Sequence, residues 1–117
     1  MQILLFACTA AMLFAQGSGL LMVQPSKLGQ TLQLELGAEV MNVQAAIPEA
    51  GERQKDRMDI VKNGAITNYG RERYGDRLSF RNGTLTIDDI TETDAVSYFY
   101  HLHNDPKKPA AIDVIIQ

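Results

Sequence analysis

The sequence contains few of the residues that mark common catalytic and metal sites. It has one cysteine, Cys8, and no tryptophan. One cysteine cannot form a disulfide within the chain, and Cys8 lies in a segment that we expect to be removed, so the mature protein has no thiol nucleophile. The sequence also has no GxSxG elbow, phosphate loop or HExxH pair. We therefore expect neither an enzyme nor a bound cofactor.

The chain also lacks a strong excess of either charge. Its 11 basic and 14 acidic residues give a net charge of -3. A domain that binds nucleic acid would carry a clustered basic face, so we expect no nucleic-acid partner. A hydrophobic content of 45% in 117 residues is enough for one packed domain.

Long apolar runs are absent except near the N-terminus. The run from Ile3 to Ala15 spans about a dozen residues, which suits a signal peptide and is short for a membrane helix of about 20 residues. We predict a signal peptide over residues 1–19, cleaved after Ala15, with Gly17 and Gly19 as other candidates. A buried N-terminal helix or an uncleaved anchor is the alternative. Residues 20–117 then form one secreted domain without a membrane span.

Short alternating runs fill the rest of the chain. Residues 32–36 and 78–87 alternate apolar and polar side chains, which is typical of strands with one buried and one solvent-exposed face. Asn63-Gly64 and Asn82-Gly83 are strong hairpin-turn signals, because both residue types tolerate positive φ. Residues 58–62, 65–69, 95–103 and 110–117 also read as strands, whereas residues 48–56 read as a polar loop. About eight closely spaced strands predict an all-β sandwich or barrel.

The order of these segments carries a family resemblance. Residues 77–102 read RLSFRNGTLTIDDITETDAVSYFYHL. Within and before this stretch, segments resemble strand B (29–36), the end of strand C (62–64), strand D (77–80), strand E (83–87) and strand F (94–100) of an immunoglobulin V-type domain. The chain is similar to the membrane-distal domains of lymphocyte adhesion receptors, the signalling lymphocyte activation molecule group, which lack the inter-sheet disulfide. This resemblance implies a two-sheet Greek-key sandwich.

The resemblance also assigns structural roles. Leu36 and Tyr100 stand where the two cysteines usually pair, and Ile60 stands at the strand-C tryptophan position. Tyr98 would form a tyrosine corner, its hydroxyl bonding back to the chain between residues 91 and 94. Arg77 and Asp94 match the ion pair that closes the bottom of V-type sandwiches. These roles predict a core in which the Leu36 and Tyr100 side chains fill the space that a disulfide between the sheets would occupy.

The same strands suggest a recognition surface. If Tyr98 and Tyr100 point inward, Phe99, His101 and His103 point outward. The resemblance brings strands C, F and G together, so Asp59, Val61 and Asp113 would join this face, with Tyr69 and Arg71 at its rim. An exposed aromatic ring among polar groups is typical of recognition patches. We expect cell adhesion or receptor recognition in an immune response, the partner being another extracellular protein, either an immunoglobulin-like receptor or a second copy. Packing of Phe99 against a neighbouring loop, and a solvated loop over residues 69–74, are the alternatives.

Two further features of the sequence suggest a glycosylation site and an alternative, metal-binding function. Asn82-Gly83-Thr84 is a glycosylation sequon on a tight turn, so Asn82 is a candidate glycosylation site. His101 and His103 would share one strand face and could ligate a metal with Asp59 or Asp113 as a third ligand. A secreted metal-binding or enzymatic domain is therefore one alternative function, although we expect no metal. A truncated isoform with only a structural role is another.

Overall fold

A computed structural model describes residues 12–16, 19–47 and 57–117. Ten strands lie within these residues: β1 (Met12–Gln16), β2 (Gly19–Ser26), β3 (Leu32–Glu35), β4 (Val43–Ala46), β5 (Arg57–Lys62), β6 (Ala65–Ile66), β7 (Leu78–Arg81), β8 (Thr84–Ile87), β9 (Ser97–His101) and β10 (Pro109–Ile116). A short helix, α1 (Asn68–Tyr74), follows β6. Single 3-10 turns cover Gly75–Arg77, Glu92–Asp94 and Leu102–Asn104.

The strands form two sheets. The larger has the order β1-β2-β10-β9-β4-β5-β6, and the smaller has the order β3-β8-β7. Neighbouring strands pair antiparallel, except that β2 and β10 are parallel. The predicted β-rich fold with two sheets is thus confirmed.

The core lies between the sheets because each strand presents alternate residues inward. In the smaller sheet, Leu34 and Leu85 are a directly opposed buried pair. In the larger sheet, the inward side chains of β9 and β10 include Tyr98 and Ile112, which are also opposed and buried. All four belong to one hydrophobic cluster, so the inner faces of both sheets contribute to a single core.

Both predicted hairpin turns are present. Asn63 and Asn82 have φ of 54° and 51°, and the glycines after them have φ of 81° and 77°. Two successive residues with positive φ match the twist of the flanking strands, which is why Asn-Gly is favoured there. These turns join β5 to β6 and β7 to β8.

The strand predicted over residues 58–62 does not lie beside β9. Strand β4 lies between β9 and β5, so the placement of Asp59 and Val61 on the nearest neighbour of β9 was wrong. Val61 is fully buried rather than outward-facing. A register shift between Val43 and Gln44 explains this, because Val43 opposes Val61 while Gln44 opposes Asp59, leaving Ile60 and Val61 both buried.

The predicted strand over residues 65–69 is also too long. It stops at Ile66, and Thr67 caps helix α1 by accepting a hydrogen bond from the Gly70 N–H at 3.0 Å. The helix packs closely on β5, since a Cβ on Gly70 would lie 2.9 Å from the Ile60 carbonyl oxygen. Residues 69–74 are therefore a packed helix and not a solvated loop.

Some predictions fall at or beyond the limits of the described residues. The polar loop over residues 48–56 and most of the signal-peptide run lie outside them. Strand β1 falls within the segment predicted to be a signal peptide, and it pairs with β2 in the register Met12 to Val23. Cleavage after Ala15 stays a prediction. Among the described residues no helix is long and apolar enough to cross a membrane.

Candidate binding face

Phe99 occupies the middle of the outer surface of the larger sheet. It pairs with Gln44 of β4 on one side and with Ala111 of β10 on the other. The guanidinium carbon of Arg57 lies 4.1 Å from the centre of the Phe99 ring, within cation–π range. The ring is half-buried, and the Arg57 side chain of β5 packs over it.

Polar side chains next to the ring are also held in place. The Gln44 Nε2 atom donates to Asp59 Oδ1 at 2.9 Å, and the Thr67 hydroxyl donates to the Asp59 carbonyl oxygen at 2.7 Å. Asp59 thus shares the outer surface with Phe99 although its strand is one step further away. We call the outer surface formed by Gln44, Arg57, Asp59, Phe99 and His101 the Phe99 face.

The Phe99 face contains an open depression of about 250 Å³. It is lined by Asn42, Gln44, Asp59, Lys62, Phe99, Tyr100, His101, Pro109 and Ala110. These residues supply a carboxylate, an ammonium group, an imidazole, amides and an aromatic ring within one small area. Such a mixture suits recognition of a polar protein surface better than capture of an apolar ligand.

Other predicted members of the face differ in where they lie. Asp113 is on β10 and accepts a hydrogen bond from the Ser97 hydroxyl at 2.5 Å. Tyr69 and Arg71 lie on α1 and do not line the depression. Tyr69 packs against the core, and its hydroxyl accepts from Arg73 Nη1 at 3.4 Å, whereas Arg71 is exposed.

His101 and His103 do not share a strand face, so that prediction was wrong. Strand β9 ends at His101, and His103 adopts a left-handed conformation with φ of 55° in the following 3-10 turn. The turn directs His103 towards Glu39, with 3.4 Å between Nδ1 and Oε1. Within the described part of the chain, no group of three or more His, Cys, Asp or Glu side chains is arranged to hold a metal ion.

Three of the predicted structural residues, Arg77, Asp94 and Tyr98, form one hydrogen-bonded network. Arg77 donates to both carboxylate oxygens of Asp94, at 2.7 and 3.3 Å, and Asp94 is only 1% exposed. The Tyr98 hydroxyl donates to the Asp94 carbonyl oxygen at 2.8 Å, the bond expected of a tyrosine corner. The hydrogen bond that Arg77 donates to the Asp94 carboxylate raises the pKa of Arg77, as does the negative charge of Asp94.

Tyr74 belongs to this network and was not foreseen. Its hydroxyl lies 3.1 Å from that of Tyr98, and because Tyr98 donates to Asp94, Tyr74 is the donor to Tyr98. Burial raises the pKa of Tyr74 to about 12 and raises that of Tyr98 well above its ordinary value. Tyr69 and Arg73 are four residues apart, a spacing that a helix brings together, but the intervening charges and Gly70 obscured this signal.

Leu36, Ile60 and Tyr100 are all buried members of the single core cluster. Leu36 is 6% exposed and Tyr100 is 4% exposed. Burial also raises the pKa of Tyr100. Ile60 lies on β5, so it is not on the strand next to β9; the inward residues of that strand, β4, include Val43 and Ala45.

Asn82, the candidate glycosylation site, is exposed on the turn between β7 and β8. This turn belongs to the smaller sheet, whereas the Phe99 face belongs to the larger one. The sequon and the candidate binding face therefore lie on different sheets.

Comparison with protein-family models and with curated proteins finds no match for this chain.

Proposed function

We propose that this chain is an extracellular immunoglobulin-like V-type module that binds another protein through the Phe99 face. Its roles would be cell adhesion or receptor recognition. The extracellular location follows from the predicted signal peptide, whose removal would also delete most of β1.

The strand order supports the V-type assignment. Variable-type domains place strands B, E and D in one sheet and strands G, F, C, C′ and C″ in the other. With β3 taken as B, the smaller sheet reads B-E-D and β10-β9-β4-β5-β6 reads G-F-C-C′-C″. In this order residues 62–64 end strand C′ and not strand C, and Ile60 on β5 does not occupy the strand-C tryptophan position expected from the sequence. The tyrosine-corner bond from Tyr98 and the Arg77–Asp94 pair add support from an independent part of the chain.

The pre-organised groups of the Phe99 face give the most direct support for protein binding. Arg57 packs over the Phe99 ring and Gln44 donates to Asp59, so these contacts reduce the conformational freedom that the side chains would lose when a partner docks. Aromatic and arginine side chains are also the types that dominate binding energy at interfaces. The mixture of charges predicts a partner surface that is polar around a central apolar contact.

A binding comparison between single variants tests the proposal. The mature domain is immobilised and probed with a panel of extracellular immunoglobulin-like domains that includes the domain itself. We expect Phe99→Ala to lower the affinity for the partner identified in this panel by at least about tenfold, the loss typical of a hot-spot residue. Thr86→Ala, on the outer face of the smaller sheet, is the matched control and should bind as the wild type does. Equal binding by Phe99→Ala, with thermal stability retained, would rule out this face.

A further inference from the structure

The sequon at Asn82 stands at the rim of a groove on the smaller sheet. Asn82-Gly83-Thr84 is the only Asn-X-Ser/Thr triplet in the sequence. Its turn is held against the end of β3, since the Leu36 N–H donates to the Gly83 carbonyl oxygen at 2.8 Å. The position of Asn82 relative to the sheet is therefore fixed by backbone contacts, while its side chain remains exposed.

The groove has a volume of about 430 Å³. It is lined by Gln33, Ser79, Phe80, Arg81, Asn82, Thr84 and Thr86. Three of these residues form a row across the sheet, because Thr86 is directly opposite Gln33 on one side and Ser79 on the other. The outer surface thus presents amide and hydroxyl groups side by side, and the Arg81–Thr84 pair lies between this row and the turn that carries Asn82.

We propose that Asn82 carries an N-linked glycan whose first N-acetylglucosamine lies in this groove. The sugar's hydroxyl and acetamide groups match the amide and hydroxyl groups of Gln33, Ser79 and Thr86 as hydrogen-bond partners. Covalent attachment at the rim makes the contact intramolecular, so individually weak hydrogen bonds are enough to hold the sugar there. The sugar would be attached to Asn82, which itself lines the groove.

The modification requires a donor from the secretory pathway. The Asn82 Nδ2 atom attacks the anomeric carbon of a lipid-diphosphate-linked oligosaccharide. A C–N bond forms, the C–O bond to the diphosphate breaks, the lipid diphosphate leaves and the amide loses one proton. The inference consequently depends on the proposed extracellular function.

A glycan in this groove would give the two sheets different roles. It would cover the outer surface of the smaller sheet and leave the Phe99 face, on the larger sheet, open to a protein. The glycan would therefore direct partners to one side of the domain.

Expression of the full chain in cultured animal cells tests the modification. Intact-mass and peptide analysis of the secreted protein should find a glycan on Asn82 that is absent from Asn82→Gln. Asn63→Gln is the matched control, because Asn63-Gly64-Ala65 has the same turn conformation and no sequon. Secreted protein with unmodified Asn82 would overturn this inference and leave the extracellular location standing. Retention of the whole chain inside the cells, unmodified, would overturn both.

Thermal unfolding tests where the sugar lies. The secreted protein is trimmed to a single N-acetylglucosamine and compared with the same chain made without the sugar, in the wild-type background and with Ser79→Ala or Thr86→Ala; Asn82 is kept in every sample because its positive φ disfavours other residues. We expect the sugar to raise Tm by about 4 °C in the wild-type background and by less than half as much in either groove variant. An equal rise in all backgrounds, or no rise at all, would place the sugar in solvent and overturn the proposed contact.

Discussion

At the scale of single residues, Asp94 joins three parts of the chain. Its carboxylate accepts from Arg77 and from the Thr91 N–H at 2.8 Å, and its carbonyl oxygen accepts from Tyr98. A buried carboxylate is tolerated only when it has such partners, because an uncompensated buried charge costs several kcal/mol. Asp94 thereby links the turn before β9 to the connection before β7.

We expect Asp94→Ala to lower the free energy of unfolding by about 2–4 kcal/mol. The loss should fall below the upper end seen for fully buried pairs, because Arg77 is 25% exposed and can be solvated by water. Urea unfolding measures it, with Glu92→Ala in the same 3-10 turn as an exposed control. Equal stability of the two variants would be incompatible with a structural role for the ion pair.

We expect the hydroxyl groups of Tyr98 and Tyr74 to contribute unequally to the stability of the fold. Tyr98→Phe removes the bond to Asp94 and leaves the Tyr74 hydroxyl without its acceptor, so we expect a loss of about 1.5–3 kcal/mol. Tyr74→Phe removes one bond and leaves the Tyr98–Asp94 bond intact, so we expect about 0.5–1.5 kcal/mol. Thermal or urea unfolding of both variants checks the order. A larger loss for Tyr74→Phe would contradict the assignment of Tyr98 as the hydroxyl that takes part in both hydrogen bonds.

Stability should fall in alkaline solution. The pKa of Tyr74 is raised from 10.0 to about 12 by burial, so above pH 10 the folded state keeps a proton that the unfolded chain releases. Stability from this group is fully present below pH 10 and is lost as pH rises towards about 12, by about 1.4 kcal/mol per pH unit. Urea unfolding across this range measures the slope, and Tyr74→Phe should reduce it. An identical slope in the variant would assign the loss to other groups.

At the scale of elements, the turn between β7 and β8 is fixed by close backbone packing. A Cβ on Gly83 would lie 1.7 Å from the Gly37 carbonyl oxygen, and Gly83 has φ of 77°. Glycine is therefore required at this position both for its conformation and for the absence of a side chain. The contact ties the β7–β8 hairpin to the residues that follow β3.

We predict that Gly83→Ala destabilises the domain far more than Gly29→Ala. Both glycines have positive φ, but a Cβ on Gly29 would have no neighbour within 4 Å. Gly29→Ala should cost about 1–2 kcal/mol for backbone strain alone, and Gly83→Ala should cost roughly 3–5 kcal/mol because the backbone must also move. Thermal unfolding distinguishes the two. Similar losses would show that the hairpin can shift away from Gly37 without penalty.

Local pattern predicted some elements well and others badly. Strands β7, β8 and β9 alternate clearly, and Asn82-Gly83 fixes the register of the first two, so their prediction needed only neighbouring residues. Strand β4 has the short sequence VQAA, which contains no clear alternation, and its place between β9 and β5 depends on distant partners. The position of Val61 and the identity of the strand beside β9 could not be read from sequence for this reason.

Helix α1 was missed for a different physical reason. Glycine and several charges within seven residues look like a loop, whereas Gly70 is needed because β5 passes too close for a side chain. The Arg73 guanidinium also connects the helix to β4, because its Nη1 atom donates a hydrogen bond to the Ala46 carbonyl oxygen at 2.9 Å. Tertiary packing outweighed the weak local preference for helix.

At the scale of the whole molecule, no disulfide can join the two sheets of one chain, because the sequence has a single cysteine. Leu36 and Tyr100 are both buried in the cluster to which each sheet contributes. A disulfide across such a sandwich typically contributes about 2–5 kcal/mol, and burial of a leucine and an aromatic ring contributes about 1.5–3 kcal/mol each. Apolar packing at these two positions can therefore stabilise the domain about as much as a disulfide between the sheets would.

Cysteine cross-linking tests the central claim, that the chain is a V-type sandwich in which Leu36 and Tyr100 stand in for the paired cysteines. Under mild oxidation, Leu36→Cys/Tyr100→Cys should form an intrachain disulfide, detected by mass after alkylation of free thiols, because the positions must lie within about 7 Å between Cα atoms. Leu34→Cys/Tyr100→Cys is the control: Leu34 faces the same core but lies about 7 Å further along the strand. Free thiols in the first variant, or equal cross-linking in both, would contradict the V-type assignment.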